Sequence, residues 1–250
     1  MNFRALALLA LLHGCTAAAA EPTSRGFAVV ELFTSEGCSS CPPADDVLAK
    51  LTHDAQRDRL EVYTLAFHVD YWNSAAWRDR FSATWATERQ RAYASALDAR
   101  GLYTPQMVVN GRDEFIGSRE AQARATIANA LETPRGLQLQ VDMARDRERV
   151  QIRYRLSAPP PSAAVLRLAL VDDEDTSSIE AGENAGRTVR HVHVVRAFES
   201  VALRDREGAA SLAVPAELNF AQLERSTVVA YVQDPSTMAI AAAARGALQH

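Results

Sequence analysis

Cysteine is scarce, with three in 250 residues. If Cys15 belongs to a removed or acylated leader, only Cys38 and Cys41 remain. A scaffold held by several disulfides is therefore excluded. A bridge between two residues so close in sequence constrains little of the unfolded chain, so stability is a poor reason for the pair. Positive charge is not in excess: 27 Lys and Arg stand against 31 Asp and Glu, for a formal net charge of −4. The basic residues are also mixed with acids, which argues against nucleic acid as a partner. Long apolar runs are missing too, since residues 5–12 are too few to cross a bilayer. No internal repeat is visible. Asp172-Asp173-Glu174-Asp175 lacks the glycine and the spaced ligands of a calcium loop, and reads as a solvated turn.

What is present begins with a targeting segment. Arg4, the apolar run 5–12 and Ala17-Ala18-Ala19-Ala20 have the order of a signal peptide over residues 1–20. The protein is expected to be periplasmic or secreted. Leu12-His13-Gly14-Cys15 also resembles a lipoprotein cleavage box, so membrane attachment is expected only if Cys15 is lipidated.

The organising stretch is Glu31-Leu32-Phe33-Thr34-Ser35-Glu36-Gly37-Cys38-Ser39-Ser40-Cys41-Pro42-Pro43. An apolar strand over 27–33 stops at Gly37, and a Cys-x-x-Cys pair opens a helix patterned over 45–51. Free N–H groups and the helix dipole favour a thiolate at such a start. Pro42 and Pro43 fit the first turn, and Ser40 fits the N-cap. A strand over 60–69 and a helix over 73–99 follow. Asn110-Gly111 then joins two short strands as a hairpin, and a helix runs over 118–131. From Leu137 the pattern alternates in strands, and Pro159-Pro160-Pro161 marks an exposed connection. The alanines over 239–247 form the one late helical run. The expected domains are 26–134, α/β, and 137–250, all-β and sandwich-like.

The Cys-Ser-Ser-Cys-Pro-Pro stretch, Phe67-His68-Val69-Asp70-Tyr71-Trp72, Tyr103-Thr104-Pro105-Gln106 and Gly182-Glu183-Asn184-Ala185-Gly186-Arg187 together resemble a bacterial secreted, thioredoxin-like family catalogued as a domain of unknown function. The resemblance implies a thioredoxin-like N-terminal domain fused to a β-rich one, with no settled activity. It also implies roles by position: Cys38 as nucleophile, Cys41 as resolving thiol, and Pro105 as a cis-proline on the substrate side. Ser-Ser between the cysteines departs from thioredoxin, which leaves the redox direction open.

The expected function is thiol–disulfide exchange with cysteine-containing exported proteins or small disulfides, together with a redox partner of unspecified identity. No organic cofactor is needed. Glu31, an acid within an apolar strand, is a candidate proton acceptor for Cys41. Thr104 and Pro105 would hold substrate as an added strand, with His68 and Trp72 as pocket walls. His68 reads equally as a core histidine bonded to a backbone carbonyl. His191 and His193 share a strand face and could complete a zinc or copper site with the cysteines, but Arg190 and Arg196 disfavour a cation there. The alternatives are a metal-binding chaperone and a redox-inactive scaffold. An exchange role requires that Cys38 be reachable and that Pro105 lie against it.

Overall fold

The computed structural model describes residues 25–145 and 148–247. The leader expected over residues 1–20, with Cys15, lies outside the described residues. The chain runs β1 (Ala28–Thr34), α1 (Pro42–Arg57), β2 (Val62–His68), α2 (Thr84–Ala96), β3 (Gln106–Val109), β4 (Asp113–Ile116) and α3 (Glu120–Glu132). It continues β5 (Leu139–Arg145), β6 (Arg149–Leu156), β7 (Val165–Ser178), β8 (Thr188–Ala202), β9 (Glu207–Ala213), α4 (Phe220–Glu224), β10 (Ser226–Gln233) and β11 (Ile240–Ala247). This is a mixed α/β architecture in which strands outnumber helices.

Eight strands form one sheet in the order β11-β10-β7-β8-β2-β1-β3-β4, while β5-β6-β9 form a smaller sheet. Strands on both sides of the 134–137 stretch thus share a sheet, joined where β2 runs parallel to β8 at Ala66 and Val194. β1 is buried along its whole length, because both its faces are covered. Ala28, Val30 and Leu32 lie against Val47, Leu48 and Leu51 of α1 and Ile127 of α3. Val29 and Phe33 face the other way, toward Tyr93 of α2 and Tyr231 of β10. In the second half, the strict alternation of β6 places Val150, Ile152 and Leu156 against Leu166, Leu168 and Val228 of the large sheet.

Three local expectations are corrected. The helix expected over 73–99 begins only at Thr84. Upstream, polar side chains take the backbone donors instead: Ser74 Oγ accepts from the Ala76 and Trp77 N–H groups, Asn73 Oδ1 from Asp79 and Asp79 Oδ1 from Phe81. The alanines over 239–247 form strand β11 rather than a helix, paired along β10. Small side chains suit that strand, since a Cβ on Gly246 would lie 2.7 Å from Met143 Sδ. Asp172 to Asp175 lie within β7 rather than in a solvated turn, and Asp172 is fully buried.

β7 and β8 form a long antiparallel hairpin, paired from Val165 with Ala202 out to Ser178 with Thr188. The backbone of β8 kinks at His193, where φ is 50°. Residues 179–187 are the tip of this arm.

Candidate functional site

Cys38 and Cys41 form a disulfide at the entrance of α1. Pro42 and Pro43 occupy the first turn, where a missing N–H breaks no helix bond. The N-cap is Cys41 itself rather than Ser40, and no side chain caps it. The Ser40 hydroxyl turns inward, 3.4 Å from Cys38 Sγ and 3.5 Å from the Thr104 carbonyl oxygen. The Thr104–Pro105 bond is cis. Thr104 Oγ1 donates to Cys38 Sγ at 3.3 Å and accepts from Trp72 Nε1 at 2.7 Å. Gly37 makes this approach possible, since a Cβ there would stand 3.0 Å from the Trp72 carbonyl oxygen. The structure therefore gathers Cys38, Cys41, Thr104, Pro105 and Trp72 at one place.

Cys38 is not reachable as the expectation required. Both cysteines are 0 % exposed. The tip of the β7–β8 arm is bonded to the backbone of their loop: the Ser39 N–H donates to Glu183 Oε2 at 3.1 Å, and Asn184 Nδ2 donates to the carbonyls of Glu36 at 2.8 Å and Cys38 at 2.9 Å.

His68 does not touch the disulfide. Its Nδ1 lies 2.7 Å from Asp79 Oδ2, so a carboxylate, not a backbone carbonyl, satisfies it. Asp79 also accepts from the Glu36 N–H at 2.9 Å. Burial works against the Asp79 anion, but the His68 ring and the donated backbone bonds outweigh it and bring the carboxyl down to about 2. The His68 and His191 rings lie 5.0 Å apart. His191 Nε2 stands 3.4 Å from Glu36 Oε1, an ion-pair distance without hydrogen-bond geometry. Trp77 Nε1 donates to the other Glu36 oxygen at 3.1 Å. His193 parts from His191 at the kink and meets Thr64 Oγ1 at 2.7 Å, and burial lowers its imidazole to about 4. Among the described residues, no group of three or more His, Cys, Asp or Glu side chains is placed to hold a metal ion.

Two carboxyls flank β1 on opposite faces. Glu31 shares the α2 face with Val29 and Phe33. Arg89 Nε donates to its Oε1 at 2.8 Å and Arg89 Nη2 to its Oε2 at 3.0 Å, while Tyr231 donates at 2.9 Å and Tyr93 adds a further bond. Asp45 lies on the α1 face, one turn into the helix from Cys41. Its Oδ1 accepts from Thr34 Oγ1 at 2.8 Å, and burial pushes its carboxyl up to about 7 against the pull of His191 and that bond.

Sequence reasoning passed over Asp45, Glu36 and Asn184. The signal for Asp45 was its spacing from Cys41, since residues four apart share a helix face. Asn184 gave no such signal, because only the length of the β7–β8 arm carries it to the cysteines.

Fold and site together define a mixed α/β protein with a Cys-x-x-Cys disulfide set between a helix start and a cis-proline. The family model described as "Protein of unknown function (DUF1223)" matches residues 29–233, and the chain belongs to that family. A protein of Agrobacterium tumefaciens with a known crystal structure is 29% identical, with a TM-score of 0.66 over 93% of this chain and 100% of that one. HBP35 of Porphyromonas gingivalis shares the fold at 14% identity, with a TM-score of 0.61 over 91% of this chain and 77% of that one. No curated protein gives a significant match.

Proposed function

We propose that residues 26–134 form a thioredoxin-like unit and that Cys38 and Cys41 exchange electrons with disulfides of exported proteins or small molecules. The reading is supported by the strand order β2-β1-β3-β4, with α1 and α3 on one face and α2 on the other. The observation that carries it is the contact of Thr104, at the cis bond to Pro105, with Cys38 Sγ at 3.3 Å. That turn faces the sulfur from the side on which a partner chain would lie as an extra strand.

In the reduced state, Cys38 sits at the N-terminal end of α1, whose dipole favours its thiolate. The thiolate attacks one sulfur of a substrate disulfide. The substrate S–S bond breaks, the second substrate sulfur leaves as a thiolate, and a mixed disulfide forms. A base accepts the Cys41 proton, either water or the buried Asp45 carboxylate one turn along α1. The Cys41 thiolate then attacks Cys38 Sγ, breaks the mixed disulfide, releases the first, attacked substrate sulfur as a thiolate and closes the Cys38–Cys41 disulfide. Two electrons pass to the substrate. Glu31, engaged on the other face of β1 by Arg89, takes no part in this scheme. The protein is read as periplasmic or secreted from its first twenty residues.

Cys41→Ala tests the reading. The reduced variant, mixed with a small disulfide or an oxidised exported protein, accumulates mixed disulfides through Cys38 that a Cys38→Ala variant does not form. If no adduct forms on Cys38, the pair is a redox-silent part of a binding scaffold, the alternative that its full burial favours.

A further inference from the structure

Full burial of both sulfurs sets a physical condition on any exchange. A thiol must approach Cys38 Sγ along the S–S axis, and the closed arrangement leaves no path. Ser40 and Thr104 lie on Cys38 Sγ, and the element bonded across the backbone of the cysteine loop comes from the second half of the chain. Its tip is closed at its base by the Ile179 N–H to the Arg187 carbonyl at 2.9 Å and the Gly186 N–H to the Ile179 carbonyl at 2.8 Å. Beyond that base, residues 182, 183 and 185–187 are exposed, and only Asn184 is buried, at 1 %. Gly182 and Gly186 adopt φ of 82° and 81°, conformations that glycine takes without strain.

The bonds the tip makes to the cysteine loop are mostly to its backbone, with the Ser39 side chain also bonded to Glu183. Asn184 Nδ2 donates to the backbone carbonyls of Glu36 and Cys38, and Glu183 accepts from the backbone N–H of Ser39. These are the groups of the cysteine loop that an extended polypeptide would bond with its own N–H and carbonyl groups. The tip therefore occupies the backbone groups of the loop that a partner lying along the Thr104–Pro105 turn could also bond.

We propose that Glu183 and Asn184 are selectivity residues: they hold the cysteine loop closed and yield to an extended, cysteine-bearing polypeptide segment whose backbone replaces their bonds. Small thiols and phosphines without peptide groups replace nothing and must wait for the tip to open unaided, so they react more slowly. The partner class rests on the exchange reading above, but the closure itself does not, and the two fail separately.

The test is the rate at which intact oxidised protein is reduced by a water-soluble phosphine, followed by thiol release, in the wild type, Asn184→Ala, Glu183→Ala and the control Glu180→Gln. Glu180 is exposed on the same tip. Glu183→Ala, which loses its bond to the Ser39 N–H, is expected to react about tenfold faster, Asn184→Ala, which loses two bonds, at least as much, and the control at the wild-type rate. A second series uses a reduced synthetic peptide with one cysteine in an extended segment. There the peptide is expected to react with wild-type protein about tenfold faster than a counterpart N-methylated on either side of its cysteine, which keeps the thiol but cannot donate the replacing bonds. Circular dichroism and thermal melting confirm the fold, and Glu183→Ala, an exposed truncation, decides the matter if Asn184→Ala does not fold. Equal phosphine rates in wild type and folded variants overturn the closure. Faster phosphine rates in the variants with equal rates for the peptide and its N-methylated counterpart overturn the partner class and leave the closure standing.

Discussion

Asp45 has a dry position, a single hydroxyl donor in Thr34, and an imidazole, His191, acting at a distance. Its carboxyl stands near 7 against an ordinary value of 3.8. Between those values the folded chain holds a proton that the unfolded chain has lost. Stability therefore falls as pH rises from about 4 to about 7, with no penalty below and the full penalty above. Asp45→Asn keeps the shape and the acceptor for Thr34 but removes the charge. Denaturant unfolding at pH 8 is expected to show the variant more stable, by up to about 4 kcal/mol, with near equality at pH 4. The same increment at both pH values would contradict a raised carboxyl. Asp45 opens the helix patterned over 45–51 yet went unread, because a periodicity argument finds buried apolar residues and not a buried acid among them. Glu31 was read correctly as an acid inside a strand, but alternation along β1 points it at α2 instead of α1. Such a choice of face depends on which helix covers which side, and that is a tertiary fact.

At the scale of elements, the Glu31 ion pair fastens β1, α2 and β10 together. The Arg89 guanidinium lies 4.9 Å from the Tyr93 ring, 4.8 Å from Phe198, 5.4 Å from Phe67 and 5.6 Å from Tyr231. Gln233 on β10 accepts from Arg89 Nη1 at 3.2 Å. Burial opposes the Arg89 cation, but Glu31 and the two phenols hold it above its ordinary range. Removing one partner leaves the other charge buried and unpaired. Glu31→Ala is thus expected to destabilise the fold by about 3–5 kcal/mol in denaturant unfolding, while trapping through Cys38 persists in the folded fraction. Loss of trapping with stability intact would return Glu31 to the chemistry. Most elements of the first half were legible: strand, helix, strand and hairpin follow from apolar runs, paired prolines and Asn110-Gly111. The segment 73–83 misled because Trp77 and Phe81 keep helical spacing, while Ser74, Asn73 and Asp79 take over the backbone. β11 misled because alanine favours a helix only weakly, and pairing with β10 decides the matter.

Across the whole molecule, the two halves meet at the cysteines as well as in the sheet. The β7–β8 arm leaves the large sheet, kinks at His193 and brings Glu36, His68, Asp79 and His191 into one buried polar group beneath its tip. Alternation in the second half showed strands but not that β7, β8, β10 and β11 would extend the sheet of the first. Pairing partners far apart in sequence leave no local trace. The resemblance quoted for residues 182–187 was the one sign that this stretch belongs with the site, and the bonds from Glu183 and Asn184 give it a physical meaning. All of this bears on chemistry only if the disulfide turns over. The most direct measurement is equilibration of intact protein with glutathione redox buffers, with the Cys38–Cys41 thiols quantified after acid quench. The exchange account predicts a reversible two-electron titration with a potential above about −300 mV. A pair that stays oxidised below that potential, after equilibrium is shown from both directions, would contradict it and make the disulfide a fixed part of the fold.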